Sequence, residues 1–341
     1  MVRAGNEMND VSPDLFLDAV FAYQKTAAIK AAIGLDLFTA IAQEDGDLDR
    51  VAAQSKASRR GVRILCDCLT VYGFLQKDRS RYRLTPSSEV FLTRSSPAWM
   101  GSIVDFMSAP EMMALFLDDP ASFVRNGGSV GLGNVAPNHP LWVTFAKAMV
   151  PFMAPVAEAV AAEVSRWSTA PRRALDVAAG HGMFGIAVGR AIPNADITAT
   201  DWKGVLEVAS ENARQAGMSD RHRTLPGSAF EVDWGSGFDL VLLSNFLHHF
   251  DQPTCIGLLQ KARKSLTSGG RVLIVEFVPN EDRVSPPFPA LFSFVMLGST
   301  PNGDAYTTPE FEEMGRRAGF SKVTVAQLPP TPQALITMEA S

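Results

Sequence analysis

RALDVAAGHGMFGIAVGRAIPNADITATD, residues 173 to 201, reads as a strand, a turn, a helix and a second strand, and it decides the fold. Ala174 to Val177 is a short apolar strand. Gly180, Gly182 and Gly185 make the turn that opens a helix running to about Ile192, and Ile197 to Thr200 is a strand ending on Asp201. Glycine suits such a turn because a Cβ would obstruct close approach of a ligand to the backbone and disfavour positive φ. Asp201, about 19 residues beyond Gly182, can accept both hydrogens of a ribose diol. A glycine-rich turn alone often serves only to close a strand on a helix. Strand, helix and acid in this order point instead to a nucleotide-like ligand.

The same spacing serves NAD and S-adenosylmethionine (SAM), and two features favour SAM. Asp176 lies inside the strand before the turn, where dinucleotide sites usually have an apolar residue and SAM sites place an acid near the ammonium group. The unit also begins at mid-chain and is followed by a particular strand series. Asp239 to Ser244 and Arg271 to Phe277 are apolar strands, and Lys322 to Leu328 and Ala334 to Glu339 form a terminal pair. Alternating strands and helices imply a parallel sheet with right-handed crossovers. The last two strands are joined only by LPPTP, too short for a crossover helix, so they should be antiparallel. A Rossmann-like sheet with an antiparallel last strand is the α/β class I methyltransferase arrangement.

The bulk composition fits two domains. The chain has 341 residues, 46% hydrophobic and 20% charged, with a net charge of −5, which gives no general pull toward nucleic acid or anionic membrane. Apolar runs such as Leu240 to Leu243 are far too short to span a bilayer, and MVRAGNEMND lacks the apolar core of a signal peptide, so the expected location is cytoplasmic. Cys66, Cys68 and Cys255 suggest buried thiols and neither a disulfide framework nor a metal site. Pro13 to Phe38 predicts helix with a break at Gly34, and Asp47 to Tyr72 predicts helix, turn, helix. FLQKDRSRYRLTP adds two short strands around Asp78 to Ser80, which completes a winged-helix pattern. Arg59, Arg60 and Arg63 could face phosphate, but the surrounding composition is not basic and favours a solvated or subunit-contacting surface. Pro97 to Trp167 is mostly helical, rich in Met and aromatics, and broken at Gly127 to Gly133 and Pro137 to Pro140. Its Phe106, Phe145, Met149 and Phe152, with Phe292 and Met296 further on, are either plain core or the adaptable apolar walls of an aromatic substrate site.

Ligands of open α/β sheets lie beyond the carboxyl ends of the strands. There Asp201 would hold a ribose, Trp202 or Phe230 would flank an adenine, and Ser228, with Ala229, would lie near its edge; Asn245 follows the strand ending at Ser244. Each has a plainer alternative as a packing or turn residue. His248 and His249 follow the same strand. A histidine, with an ordinary pKa near 6.5, suits removal of a hydroxyl proton, and adjacent side chains diverge, so one of the two would face the cofactor. Glu276, ending the next strand, could orient an imidazole and stabilise its cation.

With these residues in hand, the chain resembles the O-methyltransferase family of caffeate-type, acetylserotonin-type and bacterial small-molecule enzymes. LDVAAGHG is similar to that family's LDVGGGTG, and FLHHF is similar to its hydrophobic-His-Asp-Trp signature. The resemblance covers nearly the whole chain and implies a winged-helix dimerisation domain over residues 1–96, a helical linker to the substrate pocket over 97–168 and a SAM-binding catalytic domain over 169–341. It implies His248 as the base, Glu276 as one of two flanking carboxylates, and a homodimer whose first helix, near Phe16 to Tyr23, reaches toward the partner's pocket. Three positions depart from the family: Ser228 for the acid of a GD-x-F-like segment that reads Gly227-Ser228-Ala229-Phe230, Ala305 where the second carboxylate belongs, and Ala179 for a glycine. The expected activity is methyl transfer from SAM, leaving S-adenosylhomocysteine, to a hydroxyl of a small aromatic or conjugated acceptor. A relative that binds SAM for rearrangement, decarboxylation or oxygenation is the alternative suggested by Ala305, and a ligand-sensing DNA-binding regulator is a more distant one.

Overall fold

The computed structural model describes residues 11–131 and 139–340, which leaves the amino-terminal MVRAGNEMND, Gly133 and positions 137–138 of the expected breaks outside the described residues. The chain divides into two compact units, one through Ser108 and one from Ala109 onward. The helical stretch 97–168 is shared between them.

In the first unit, α1 (Asp14–Gly34) and α2 (Leu37–Gln43) meet at a bend of 58°. Asp36, in left-handed conformation, makes the corner just after the expected break. α3 (Leu48–Gln54) and α4 (Arg59–Val71) follow, each started by a side-chain cap, Asp47 on the Arg50 N–H and Ser58 on the Gly61 N–H. The hairpin of β1 (Leu75–Asp78) and β2 (Arg81–Leu84) is the wing, followed by α5 (Pro86–Leu92) and α6 (Ile103–Met107). Leu37, Phe38, Val62 and Leu69 fill its core. Arg59 pairs with Asp49 and Arg63 with Asp67, so two of the three arginines considered for phosphate are already matched by acids. The first turns of α1 expose Leu15, Phe16, Val20, Phe21 and Tyr23.

The second unit is a seven-stranded sheet of β3 (Arg173–Val177), β4 (Asp196–Asp201), β5 (His222–Pro226), β6 (Phe238–Ser244), β7 (Leu266–Glu276), β8 (Lys322–Gln327) and β9 (Ala334–Glu339), in the order β5-β4-β3-β6-β7-β9-β8. β9 runs antiparallel to both β7 and β8, as the short LPPTP link demands. Along β6 the side chains alternate between two cores. Val241 and Leu243 join the core that includes Phe311 and Met314, whereas Leu240 and Leu242 join the one that includes Val160 and Ile186. Both faces are therefore covered, which is why FDLVLLS is apolar at nearly every position. The helices are α7 (Pro110–Leu117), α8 (Pro120–Asn126), α9 (Pro140–Val164), α10 (Met183–Ala191), α11 (Lys203–Gln215), α12 (Gln252–Ser265), α13 (Pro287–Ser299) and α14 (Thr308–Ala318). α9 is long and apolar enough to cross a membrane by length and composition, but Met153, Val156, Val160 and Val164 are buried in the core beside α10.

From β3 the chain steps outward through β4 and β5, then returns to lay β6 on the other side of β3. This reversal opens a crevice at the carboxyl ends of β3 and β6. The β3–α10 turn beside it is tied down locally. The Asn212 amide donates to the His181 carbonyl at 2.8 Å, and His181 Nδ1 accepts the Met183 N–H at 3.1 Å. Burial pushes the His181 imidazole down to about 4. The folded form therefore refuses a proton that the unfolded chain accepts near 6.5, so stability is lost as pH falls from that value toward 4. Urea titrations at pH 7 and pH 5 should show a smaller drop for His181→Asn, whose amide oxygen can take the same N–H without titrating; equal drops would assign the acid sensitivity elsewhere.

Candidate active site

A cavity of about 460 Å³ occupies the crevice, within the range that holds a cofactor-sized ligand. Four neighbouring strands contribute their terminal residues: Ala178 and Gly180 after β3, Thr200, Asp201 and Trp202 at β4, Gly227 to Phe230 after β5, and Asn245, Phe246, His249 and Phe250 after β6. Trp142 and Phe145 of α9 and Ser299 to Pro301 after α13 complete the wall. A second concavity of about 480 Å³ lies at the opposite, amino-terminal ends of the strands, beside Trp167 and Gly270, away from the edge where open α/β sheets bind ligands.

On the β4 side, Asp201 Oδ2 accepts the Gly180 N–H at 2.9 Å and Oδ1 accepts the Trp202 N–H at 2.6 Å. The carboxylate is thereby fixed with lone pairs to spare. Burial pushes its pKa up, and the two amides pull it back. Gly180 (φ 57°) turns here, and so does Ala178, whose φ of 52° is unusual for a side chain and which stands at the first glycine of the LDVGGGTG pattern. Asn245 (φ 52°) makes the corresponding turn after β6. Among the described residues, Thr200 Oγ1 and Asn245 Oδ1 on the cavity wall are buried and lack a hydrogen-bond partner, as does Asp176 Oδ1 below it. Unused acceptors beside a fixed carboxylate fit a cationic ligand rich in hydroxyl and ammonium donors, as SAM is.

Asp176 itself is off the wall. It is 1% exposed, and its Oδ2 accepts the Gly185 N–H at 2.9 Å, which caps the start of α10. Burial pushes its carboxyl up to about 7, against the pull of that N–H and with a further push from Asp201. Gly182 is likewise a packing position, since a Cβ there would lie 2.9 Å from the Ala209 Cβ.

The two histidines occupy a short 3-10 turn, Leu247–His249, that diverts the chain after β6. Glu276 at the end of β7 holds this turn. Its Oε1 accepts the N–H groups of Phe246 at 3.0 Å and His248 at 3.2 Å, and its Oε2 is 2.5 Å from His248 Nδ1. With the carboxylate accepting, Nδ1 carries the hydrogen of this pair and Nε2 is left as an acceptor. Both side chains are buried, and the His248 ring packs edge-on against Phe292 at 4.9 Å and against His249 at 4.3 Å. His249, not His248, lines the cavity. The residue is exposed on that space, while the protein atoms crowded round the ring, reinforced by neighbouring His248, hold its imidazole below the ordinary histidine range.

Where a second carboxylate was sought, Ala305 is 1% exposed and carries no charge. The segment around it supports the histidine turn by main-chain contact. A Cβ on Gly303 would lie 2.2 Å from the His248 carbonyl oxygen, and the Tyr306 hydroxyl donates to the Phe250 carbonyl. Arg283 clamps this segment through Asp304 at 3.5 Å and Glu310 at 2.7 Å.

Of the expected cofactor residues, Gly180, Asp201, Trp202, Ser228, Ala229, Phe230 and Asn245 meet at the cavity. Ser228 is also a turn residue, its Oγ accepting the Phe230 N–H at 3.2 Å. Of the expected acceptor residues, only Phe145 lines it, and Phe292 lies beside His248. Met149, Phe152 and Met296 are corrections. Met149 and Phe152 pack in the core beside α10, and Met296 is buried in α13, because their helices turn those faces inward. Phe106 is buried in the first unit. Sequence reasoning passed over Trp142, Thr200, Phe246 and Phe250; Phe246 and Phe250 sit in the FLHHF segment itself and could have been found from it.

Comparison with known proteins agrees with this architecture. The chain is 32% identical over 322 residues to the 3-hydroxy-5-methyl-1-naphthoate 3-O-methyltransferase of Streptomyces sahachiroi, covering 91% of this chain and 90% of that protein. It superposes on a candidate O-methyltransferase structure from Nostoc punctiforme with a TM-score of 0.91 at 46% identity, covering 97% and 100% of the two chains. The fold is shared with human N-acetylserotonin methyltransferase, solved in complex with SAM, at a TM-score of 0.83 and 22% identity over 99% and 100% of the chains. The O-methyltransferase dimerisation domain profile matches residues 17–94 and the O-methyltransferase domain profile matches residues 144–321, so the chain belongs to the O-methyltransferase family.

Proposed function

We propose that this protein transfers a methyl group from SAM to a hydroxyl of a small, flat aromatic or conjugated metabolite, with His248 as general base. The observation that carries the reading is the His248–Glu276 pair, 2.5 Å apart, in the turn whose neighbouring Phe246, His249 and Phe250 wall the cavity. The naphthoate hydroxyl named for the Streptomyces sahachiroi relative supports a fused-ring acceptor of this kind.

SAM supplies, when bound, a methyl carbon already made electrophilic by its sulfonium. Asp201 would hold the ribose hydroxyls, Trp202 or Phe230 would flank the adenine, and Ser228 would lie near its edge. Asp176 acts from beneath by fixing the start of α10, and its charge favours a cationic ligand above it. Trp142, Phe145 and Phe246 offer apolar faces that hold a planar acceptor and exclude water. His248 Nε2 would take the acceptor's hydroxyl proton, and Glu276 would hold the ring in the matching tautomer and stabilise the resulting cation. The dimerisation domain supports a homodimer as the working form.

The reading is tested by titrating the protein with SAM and S-adenosylhomocysteine in a calorimeter, then analysing incubations with hydroxylated naphthoates, phenols and indoles by mass spectrometry. Binding with a gain of one CH2 on an acceptor supports methyl transfer. Binding with product of unchanged methyl content favours rearrangement, decarboxylation or oxygenation, and no binding removes the cofactor assignment. His248→Ala and Glu276→Gln should each lower turnover by roughly 10²-fold or more while leaving S-adenosylhomocysteine affinity within a few-fold. His249→Ala should behave differently. Because its imidazole is held below the ordinary histidine range, replacing it should leave the acid side of the turnover profile in place, whereas the acceptor KM should rise. A displaced acid limb would make His249 the titrating base.

A further inference from the structure

Lys261 stands on α12, the helix whose cap, Asp251, follows directly on the histidine turn. Its ammonium donates to three main-chain carbonyls of a single loop: Ala229 at 2.9 Å, Phe230 at 3.0 Å and Val232 at 2.7 Å. An ammonium has three N–H groups, so its donor capacity is used up. The same nitrogen sits 4.7 Å from the centroid of the Trp234 ring. Burial lowers the Lys261 pKa even though Asp233 lies near enough to raise it. A lysine on an exposed helix would ordinarily leave its charge in water. Here the charge is drawn under a loop.

That loop is the stretch from Gly227 to Val232, whose Gly227, Ser228, Ala229 and Phe230 form one wall of the cavity. It belongs to no strand or helix, and its internal support is a turn in which Glu231 and Val232 N–H groups share the Ser228 carbonyl. The carbonyls of Ala229, Phe230 and Val232 therefore need partners from outside the loop. At its far edge Phe230 meets Phe250, edge to face, with centroids 5.1 Å apart. The loop is held to the histidine-bearing region at two points, one aromatic and one ionic.

We infer that Lys261 is a positioning residue for the cofactor: its three bonds to the carbonyls of Ala229, Phe230 and Val232 hold Ser228 and Phe230 in the conformation that receives the adenine. The inference rests on the reading of this cavity as the SAM site. Lys261 touches no reacting atom. Its contribution is to order the loop before binding, so that less of the binding energy is consumed in ordering it afterwards.

The test is calorimetric titration of S-adenosylhomocysteine into the full-length wild type and the variants K261M, K261R and F230A, each also followed through thermal unfolding. K261M should raise Kd by roughly tenfold or more through loss of preorganisation, and amide hydrogen exchange should speed up across residues 228–232. K261R keeps the charge but cannot offer three N–H groups from one nitrogen, so it should weaken binding by a smaller factor. It provides the same readout if K261M does not fold. F230A should weaken binding by removing the ring itself. Unchanged Kd in the folded Lys261 variants alongside weakened binding in F230A overturns the positioning role, whatever happens to thermal stability. Unchanged Kd in F230A as well overturns the placement of the cofactor in this cavity.

Discussion

The buried carboxylate of Glu276 receives three hydrogen bonds, from two successive stretches of backbone and one imidazole, all belonging to the turn that follows β6. Without it, two main-chain N–H groups and the Nδ1–H of His248 would be buried and unpaired, at about 1–3 kcal/mol each. That sum is comparable with much of the net stability of a typical domain, about 5–15 kcal/mol. The acid therefore builds the turn and sets the imidazole tautomer with the same two oxygens. His249 reaches the cavity because Glu276 fixes the backbone under its neighbour, and Phe246 and Phe250, 5.0 Å apart, take their places on the same wall from the same turn. Apolar wall, base and β7 are thus one mechanical unit.

The cofactor side depends on charge rather than on packing. Asp176 and Asp201 lie near the ends of adjacent strands, where burial pushes both carboxyls up and Asp201 pushes Asp176 up further. Only backbone N–H groups offset this in the protein alone, from Gly180 and Trp202 for Asp201 and from Gly185 for Asp176. A cation above them would favour the ionised forms of both carboxyls, which suits the cavity to a sulfonium or ammonium ligand. The left-handed Ala178 and Asn245 belong to the same account, since residues with side chains occupy that conformation at a cost and do so here on the cavity wall.

The main features of the fold were legible because they depend on local signals. Apolar strands, a glycine turn followed by an acid at the right distance, and a link too short for a helix each have one physical reading. β5 was not foreseen because HRTLP, an edge strand, has no buried face to impose an apolar pattern. β7 begins at Leu266 and not Arg271 because TSGG reads as a turn until the neighbouring Phe238 pairs with it. At the site, residues tied to strand ends line the cavity, since the topology brings those ends together whatever the side chains. Residues on long helices were not. Met149, Phe152 and Phe145 have equal apolar character, and only the rotation of α9 against α10 turns Phe145 toward the cavity and the other two into the core. Asp176 failed for a related reason: in a strand the side-chain direction is fixed by register, and this position points under the turn, toward α10.

The replacement of a second flanking carboxylate by Ala305 bears on whether a base can work here. At about 4 Å and an effective dielectric near 20, one more carboxylate would favour an imidazolium by about 4 kcal/mol. Burying that carboxylate carries a desolvation penalty of several kcal/mol, so the net gain from a second acid in so enclosed a place is small. What the position must supply is geometry, and Gly303, Tyr306 and the Arg283 clamp supply it through main-chain contact against His248 and Phe250. Charge is concentrated on one side of the imidazole and shape on the other. A single carboxylate, Glu276, thus suffices to orient the His248 ring, and the Ala305 position contributes shape in place of a second charge.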